Sequence, residues 1–420
     1  MLKKTTLNNG LRLITTTMPH THSVSISFFM GVGSRYETEA QAGISHFIEH
    51  LCFKGTQKRA TAKEISTAIE GVGGMINAGT DRELTVYWAK VAQPHFALAL
   101  DVLVDMLLHS KFDSIDIERE RQVIIEEIHM TKDSPSQQVN MLIDELLWPG
   151  HPLGRDIAGS KKSVSAITRE MMLDYLQSQY LPDNVVIAIA GNIQHQEAVA
   201  AVSQAVANWT SLRARPAYLA YQEQPNPRLQ IERRDTEQAH LCIALPGLSL
   251  FHPQRFTLDL LNVILGEGMS SRLFSEIRDK LGLAYSINSY VDHCLDSGAV
   301  TIHAGVEPKN LPVVIKAILE QLLQLKEPVP ESELSKAKEL TKGRLLLRME
   351  DTRSVASWVG GQEILTGRIL TVDQVVSIID AITADELKQL AQELLVGDRL
   401  RLAVVGPVGK DEPLEELLKL

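Results

Sequence analysis

The sequence predicts an α+β fold in two homologous domains, each a mostly antiparallel or mixed sheet covered by helices on one side. Short stretches with strand-like alternation, such as 84–91 and 299–306, mix irregularly with helical stretches of about ten to twenty residues. The two halves of the chain also match each other at an offset of about 215 residues. A proline-rich segment that lacks periodicity separates the halves.

The duplication sets the predicted domain boundaries. We expect a first domain over 1–211, a linker over 212–228, and a second, homologous domain over 229–420. In each domain a strand is expected to end, and a long amphipathic helix to begin, at the corresponding position. The matched segments, in pairs, are 89–95 with 304–310, 180–191 with the segment that ends at 406, and 130–134 with 349–352.

Composition indicates a large enzyme of the cell interior. The 420 residues are 44% hydrophobic and 22% charged, which is enough apolar material for more than one core. A net charge of −10 argues against nucleic acid and against an anionic membrane surface as partners. Because no apolar run approaches membrane-spanning length and no signal peptide is recognised, we expect a cytoplasmic and bacterial protein.

A candidate metal site begins at His46, Glu49 and His50, and Glu127 follows 77 positions after His50. If 42–53 is a helix, two histidines four residues apart point from the same face and can bind one ion. Catalytic zinc usually has three protein ligands and one open position for water. Glu127 is the candidate for the third ligand, which predicts one Zn²⁺ per chain.

Ordinary packing is the alternative explanation for two histidines on one helix. It is disfavoured because two histidines and a glutamate on an apolar stripe are costly to bury unless a charge compensates them. The duplication places the site in the first domain only. The helix over 332–348, which corresponds to the one with Glu127, has no acidic pair, and the segment opposite His46 and His50 lacks both histidines.

These motifs closely resemble the pitrilysin family of zinc endopeptidases, which have an inverted zinc motif and include mitochondrial processing peptidase and insulin-degrading enzyme. The resemblance rests on the motif at 46–50 with its continuation to Thr56, on 33–37, and on 119–127, with 76 residues between the last histidine and the third ligand. It covers nearly the whole chain. By this resemblance His46, His50 and Glu127 are zinc ligands and Glu49 is the general base.

The resemblance also implies roles for an acidic residue and for substrate-binding residues. Glu120 matches a second acidic position, and because it precedes Glu127 by two helical turns it is expected to orient a ligand histidine. Asn77 and Ala78 match the edge strand onto which substrate is added as an extra strand. Gly79 departs from the family, where a larger residue is usual. Arg278 and Tyr285 match the pair that contacts substrate carbonyl groups.

The family resemblance implies an assembly as well. Four copies of the domain enclose a substrate in this family, so a chain with two copies is expected to form a half-shell that closes as a homodimer around peptides or unfolded polypeptide segments. A heterodimer with a different partner chain is an alternative to the homodimer. A non-catalytic scaffold or binding subunit is the alternative from another class, although such members lose motif residues that this chain keeps.

Overall fold

The computed structural model describes residues 2–210, 217–409 and 412–420. Within these residues the chain forms strands and α-helices in irregular alternation. The strands are β1 (Leu2–Thr6), β2 (Arg12–Thr17), β3 (Ser23–Met30), β4 (Met75–Thr80), β5 (Thr85–Ala92), β6 (Val185–Gly191), β7 (Leu229–Arg233), β8 (Ala239–Pro246), β9 (Ala284–His293), β10 (Gly298–Val306) and β11 (Arg401–Gly406).

The α-helices vary in length from a short turn of six residues to twenty residues. They are α1 (Ile44–Cys52), α2 (Ala62–Glu70), α3 (Phe96–His109), α4 (Ser114–Asp133), α5 (Pro135–Leu147), α6 (Lys161–Ala166), α7 (Arg169–Gln179), α8 (His195–Ala205), α9 (Arg255–Gly266), α10 (Leu311–Leu325), α11 (Glu331–Arg348), α12 (Thr352–Thr366), α13 (Val372–Ala381) and α14 (Ala384–Leu394). Among the described residues, no helix is long and apolar enough to cross a membrane.

The chain folds into two compact units, each built on one mixed sheet. The strand order is β1-β2-β6-β3-β5-β4 in the first unit and β7-β11-β8-β10-β9 in the second. In each sheet one pair is parallel, β2 with β6 and β7 with β11, and the other pairs are antiparallel. The predicted α+β class with two mixed sheets is therefore confirmed, and the second sheet repeats the pairing of the first.

The first sheet has a main core on one face and a smaller core on the other. The main core packs Val24, Ile26 and Tyr87 of the sheet against helices that include α1 and α3. On the opposite face Phe29 and Ala188 pack against α12. Every residue of β6 is buried, as expected for a strand covered on both sides. The expectation of helices on one side only was wrong, because the central strands are apolar on both faces.

The helix that covers the second face of each sheet comes from the other half of the sequence. α12 belongs to the first unit, where it packs on β3 and β6, and α5 belongs to the second unit, where it packs on β8 and β11. Both helices follow the matched segments 130–134 and 349–352. Each compact unit therefore contains segments from both sides of the predicted boundaries at 211 and 229. Those boundaries describe the repeat in the sequence and remain a prediction.

The predicted linker is described only in part, and the three cysteines are core residues. Of the predicted linker, residues 212–216 lie outside the described residues, and 217–228 form neither helix nor strand. Cys52, Cys242 and Cys294 are buried and form no disulfide with one another. They act as small core residues, as their scattered spacing suggests.

Candidate metal centre

The helix that carries the two histidines, α1, is fixed firmly at its start. The Glu37 carboxylate is buried and accepts hydrogen bonds from the backbone N–H groups of Gly43, at 2.8 Å, and Ser45, at 2.9 Å. An anionic acceptor at a helix N-terminus satisfies donors that have no partner inside the helix. Gly43 has a φ of +93°, and a Cβ there would collide with the carbonyl oxygen of Ala158. Both features hold α1 in place.

His46 and His50 point to the same place from one face of α1. Their Nε2 atoms are 3.2 Å apart, as the four-residue spacing predicts. Burial, with a smaller contribution from His50, lowers the pKa of His46 to about 4. Because a neutral imidazole keeps a lone pair on one nitrogen, the state of His46 favoured by burial is the state that binds a metal ion.

Glu127 completes a group of three donors. Its Oε2 atom lies 3.8 Å from Nε2 of His46 and 3.7 Å from Nε2 of His50. Donors that bind one zinc ion tetrahedrally at about 2.0–2.1 Å are about 3.4 Å apart, so the three observed separations are close to those of a zinc site. Neutral nitrogen and carboxylate oxygen are also donors that zinc accepts. The residues fit the ion, and the three ligand positions leave a fourth for water.

Glu120 lies behind His50 on the side away from Glu127. Its Oε2 atom is 3.1 Å from Nδ1 of His50, and its Oε1 atom is 2.7 Å from Nζ of Lys54. A carboxylate accepts, so His50 donates from Nδ1 and presents a free lone pair at Nε2, where Glu127 also points. The ion pair between Lys54 and Glu120 was not predicted from the sequence.

His46, His50 and Glu127 form the candidate metal-binding group. Glu49 lies beside this group and contacts the neighbouring strand. The Thr80 hydroxyl, at the end of β4, donates a hydrogen bond of 2.5 Å to Oε2 of Glu49. Burial raises the pKa of the Glu49 carboxyl above its ordinary value, and the hydrogen bond from Thr80 and the nearby His50 oppose that rise. A carboxylate whose pKa is raised accepts a proton more readily than an ordinary glutamate, as a general base requires. The hydrogen bond between Thr80 and Glu49 was not predicted from the sequence.

β4 is an edge strand, and it carries Asn77 and Ala78. It pairs with β5 on one side, and among the described residues no strand pairs with its other side. The backbone N–H of Ala78 donates to Oδ1 of the exposed Asn77 side chain at 2.8 Å. α1 packs against β4. The edge that could accept an added strand therefore lies next to the helix of His46 and His50.

Arg278 and Tyr285 lie together in the second unit. Arg278 is on a π-helix, Phe274–Lys280, and its guanidinium carbon is 5.3 Å from the centre of the Tyr285 ring. Tyr285, on β9, is 77% exposed. Short π-helical segments are frequent at functional sites. The metal-binding group belongs to the first unit, so the prediction that this pair contributes to the same site remains a prediction.

Comparison with known proteins identifies the family. The sequence profile described as Insulinase (Peptidase family M16) matches residues 12–161, and the one described as Peptidase M16 inactive domain matches residues 166–341. An uncharacterized zinc protease of Bacillus subtilis is 37% identical over 412 residues, which cover 97% of this chain and 99% of the relative. The chain belongs to the M16 peptidase family. The predicted resemblance to pitrilysin-type zinc peptidases is confirmed.

Solved M16-like structures share the whole fold. A protease from Helicobacter pylori superposes with a TM-score of 0.89 at 21% identity, over 97% of this chain and 99% of that one. A chain of complex III from Candida albicans superposes with a TM-score of 0.82 at 20% identity, over 100% of both chains. At these identities the likeness shows the fold alone. The M16 fold thus occurs both in a protease and in a chain of a larger complex.

Proposed function

We propose that this chain is a zinc-dependent endopeptidase that hydrolyses peptides or unfolded polypeptide segments. The observation that carries the proposal is the convergence of His46, His50 and Glu127 beside the partly buried carboxyl of Glu49. Two neutral nitrogens and one carboxylate leave room for water, which distinguishes a catalytic zinc site from a closed structural one. Relatives named zinc proteases support the same reading.

His46, His50 and Glu127 would hold one zinc ion, and the ion would supply polarisation of the scissile carbonyl and a lowered pKa of the attacking water. Glu49 accepts the proton of that water and then delivers it to the leaving amine. The hydroxyl of Thr80 fixes the carboxylate of Glu49 during both transfers. Glu120 positions His50 and does not touch the substrate.

The substrate would bind in extended form along the free edge of β4. Main-chain hydrogen bonds at Asn77 and Ala78 would bind the substrate backbone, which is the same in every peptide. Selectivity then depends on the substrate side chains, so many sequences can be accepted. Folded proteins have few free extended segments, which limits substrates to flexible or unfolded chains. Arg278 and Tyr285 would donate to a substrate carbonyl group and stabilise the negative charge that develops there.

We propose a homodimer in which Arg278 and Tyr285 of one subunit reach the metal centre of the other. Within the described residues the chain has one group of three metal donors, in the first unit, and the Arg278–Tyr285 pair lies in the second unit. We place the protein in the cytoplasm of a bacterium on the grounds of its composition and its relatives. A heterodimer, in which a different chain supplies the second half, would leave the isolated protein with zinc but without activity.

A non-catalytic scaffold is the second candidate function. The family profile over 166–341 is described as an inactive domain, and one structural neighbour is a chain of complex III. The scaffold is disfavoured because the first unit keeps three converging metal donors and a carboxyl of raised pKa beside them. A scaffold has no need of either feature.

Replacement of Glu49 by Gln tests the proposed role of this residue. The variant is expected to bind zinc as the wild type does and to lose turnover of quenched peptides, because an amide cannot accept the proton. Glu126→Gln, at an exposed position on α4, is the matched control and is expected to stay active. A Glu49→Gln protein that still cleaves peptides would contradict the assignment.

A further inference from the structure

Gly79 is an unusual residue for its place in the fold. It lies inside the edge strand β4, where glycine weakens a strand and offers no side chain to pack. Its φ is not positive, so its backbone conformation does not require glycine. A Cβ at this position would meet no atom within 4 Å. No side chain therefore covers the backbone of β4 at Gly79, and in this sense the backbone is bare. A larger residue would fit there.

The bare backbone lies on the face of the sheet opposite Ala78. Side chains alternate along a strand, and Ala78 packs with Tyr87 towards the main core. Gly79 faces the other way and pairs with Val86 of β5, which packs with the smaller core on that side. Trp88 is the diagonal neighbour of Gly79 on the same face and is 8% exposed.

An arginine from α12 stacks on Trp88. The guanidinium carbon of Arg353 is 3.7 Å from the centre of the Trp88 ring. Arg353 and Trp88 both belong to the first unit, as does Gly79. The surface near Gly79 thus includes an aliphatic side chain and an indole covered by a flat cation, which pack well against an aromatic ring, together with the exposed amide of Asn77.

We propose that Gly79 selects an aromatic side chain in the substrate. An added strand would lie about 4.8 Å from β4, and β5 lies the same distance beyond, so Val86 is two strands away from the substrate backbone. Only a long side chain of the substrate, extended across Gly79, can reach Val86. Aromatic residues are known to compensate a glycine on a neighbouring strand in this way. The inference rests on the proposed function, because it takes β4 to be the substrate edge.

The test uses quenched peptides that are identical except for one residue, which is Phe or Ala, with the substituted position moved along the peptide. We expect wild-type protein to prefer Phe at one fixed position by about fivefold or more in kcat/KM. Gly79→Val fills the space above the backbone and is expected to reduce that preference below about twofold. Met75→Val, at the exposed start of the same strand and on the same face, is the matched control and should keep the preference.

Folding and zinc content are checked by a second, smaller variant. Gly79→Ala should bind the same amount of zinc as the wild type and show an intermediate preference. Cleavage by the wild-type protein with equal rates for Phe and Ala at every position would overturn the inference and leave the proposed function intact. A preference that survives in Gly79→Val would also overturn it.

Binding separates the inference from the proposed function. Labelled peptides are titrated into Glu49→Gln protein and followed by fluorescence anisotropy, which requires no turnover. The inference is supported if Glu49→Gln protein binds the Phe peptide more tightly than the Ala peptide, and if this difference is lost in the double variant Glu49→Gln, Gly79→Val. If wild-type protein cleaves nothing but this difference in binding remains, the proposed hydrolysis fails, and the selection of an aromatic side chain at β4 stands as a property of peptide binding alone.

Discussion

The Glu120 carboxylate lies 3.1 Å from Nδ1 of His50 and 2.7 Å from the ammonium group of Lys54. Glu120 is 6% exposed, so this interaction is largely shielded from water. The carboxylate fixes which nitrogen of His50 carries the proton and where the ring points. His50 therefore enters the metal-binding group in an orientation that is set before any ion binds.

Removal of this carboxylate is expected to weaken zinc binding. Glu120→Ala leaves Nδ1 of His50 without its acceptor and should lower zinc affinity about 10–100-fold, measured by competition with a chromogenic chelator. Glu126→Gln, on the same helix but exposed, should bind zinc as the wild type does. Wild-type affinity in Glu120→Ala would show that Glu120 has no positioning role.

Two adjacent glycines in α12 test how that helix packs on the first sheet. A Cβ at Gly360 would overlap the Phe29 ring and lie 2.9 Å from Cβ of Ala188, whereas a Cβ at Gly361 would meet nothing within 4 Å. Gly360→Ala is expected to destabilise the protein by about 1–3 kcal/mol through overpacking. Gly361→Ala should stabilise it by up to about 1 kcal/mol, because alanine favours a helix.

Melting temperatures of the two variants provide the measurement. The account predicts opposite shifts, downward for Gly360→Ala and upward or unchanged for Gly361→Ala. Equal shifts in the same direction would mean that α12 does not lie against β3 in solution.

Local sequence patterns were sufficient for the helices that carry the candidate metal donors. A four-residue spacing places His46 and His50 on one face, and a seven-residue spacing places Glu120 and Glu127 on one helix. The convergence of α1 with α4 depends on tertiary packing. The sequence indicated it only through the need of zinc for a third ligand and through the family resemblance, because no periodicity links segments 77 residues apart.

Contacts between distant segments were not predicted. The hydrogen bond from Thr80 to Glu49 and the packing of α12 on β3 join residues that share no local pattern. The exchange of α5 and α12 was missed for the same reason, since the sequence of a helix does not specify which of two similar sheets it covers. The repeat in the sequence indicated two similar domains, but it carried no information about which copy of the covering helix packs on which sheet.

Acid pH is expected to destabilise the second unit through His303. Burial, with a smaller contribution from His240, lowers the pKa of His303 to about 4 from the ordinary 6.5. Between these values the unfolded chain binds more protons than the folded one, so stability falls as the pH falls from 6.5 towards 4. Above pH 6.5 the neutral ring makes its full contribution.

The variant His303→Gln tests this dependence. The drop in melting temperature between about pH 7 and about pH 5 should be smaller in His303→Gln than in the wild type, because glutamine does not titrate. The wild-type ring lies 3.3 Å, through Nε2, from the Ser136 hydroxyl, a contact that an amide can also make. Identical drops in the two proteins would exclude His303 as the group that titrates.

Shared sites in a homodimer predict complementation between two inactive proteins. Glu49→Gln removes the proton acceptor in the first unit, and Arg278→Ala removes the guanidinium in the second. If each site combines groups from both subunits, a mixture of the two variants forms one intact site in each mixed dimer and recovers up to about a quarter of wild-type activity. Activity that stays at the level of the separate variants would indicate that sites are not shared.

The central claim is that His46, His50 and Glu127 bind a zinc ion used for peptide hydrolysis. The most direct measurement is zinc content together with cleavage of a quenched peptide library, on the purified protein alone, with and without a chelator. The account predicts about one zinc per chain, cleavage that the chelator abolishes, and recovery when zinc is restored. Protein that binds no zinc, or cleavage that persists after the zinc is removed, would contradict it.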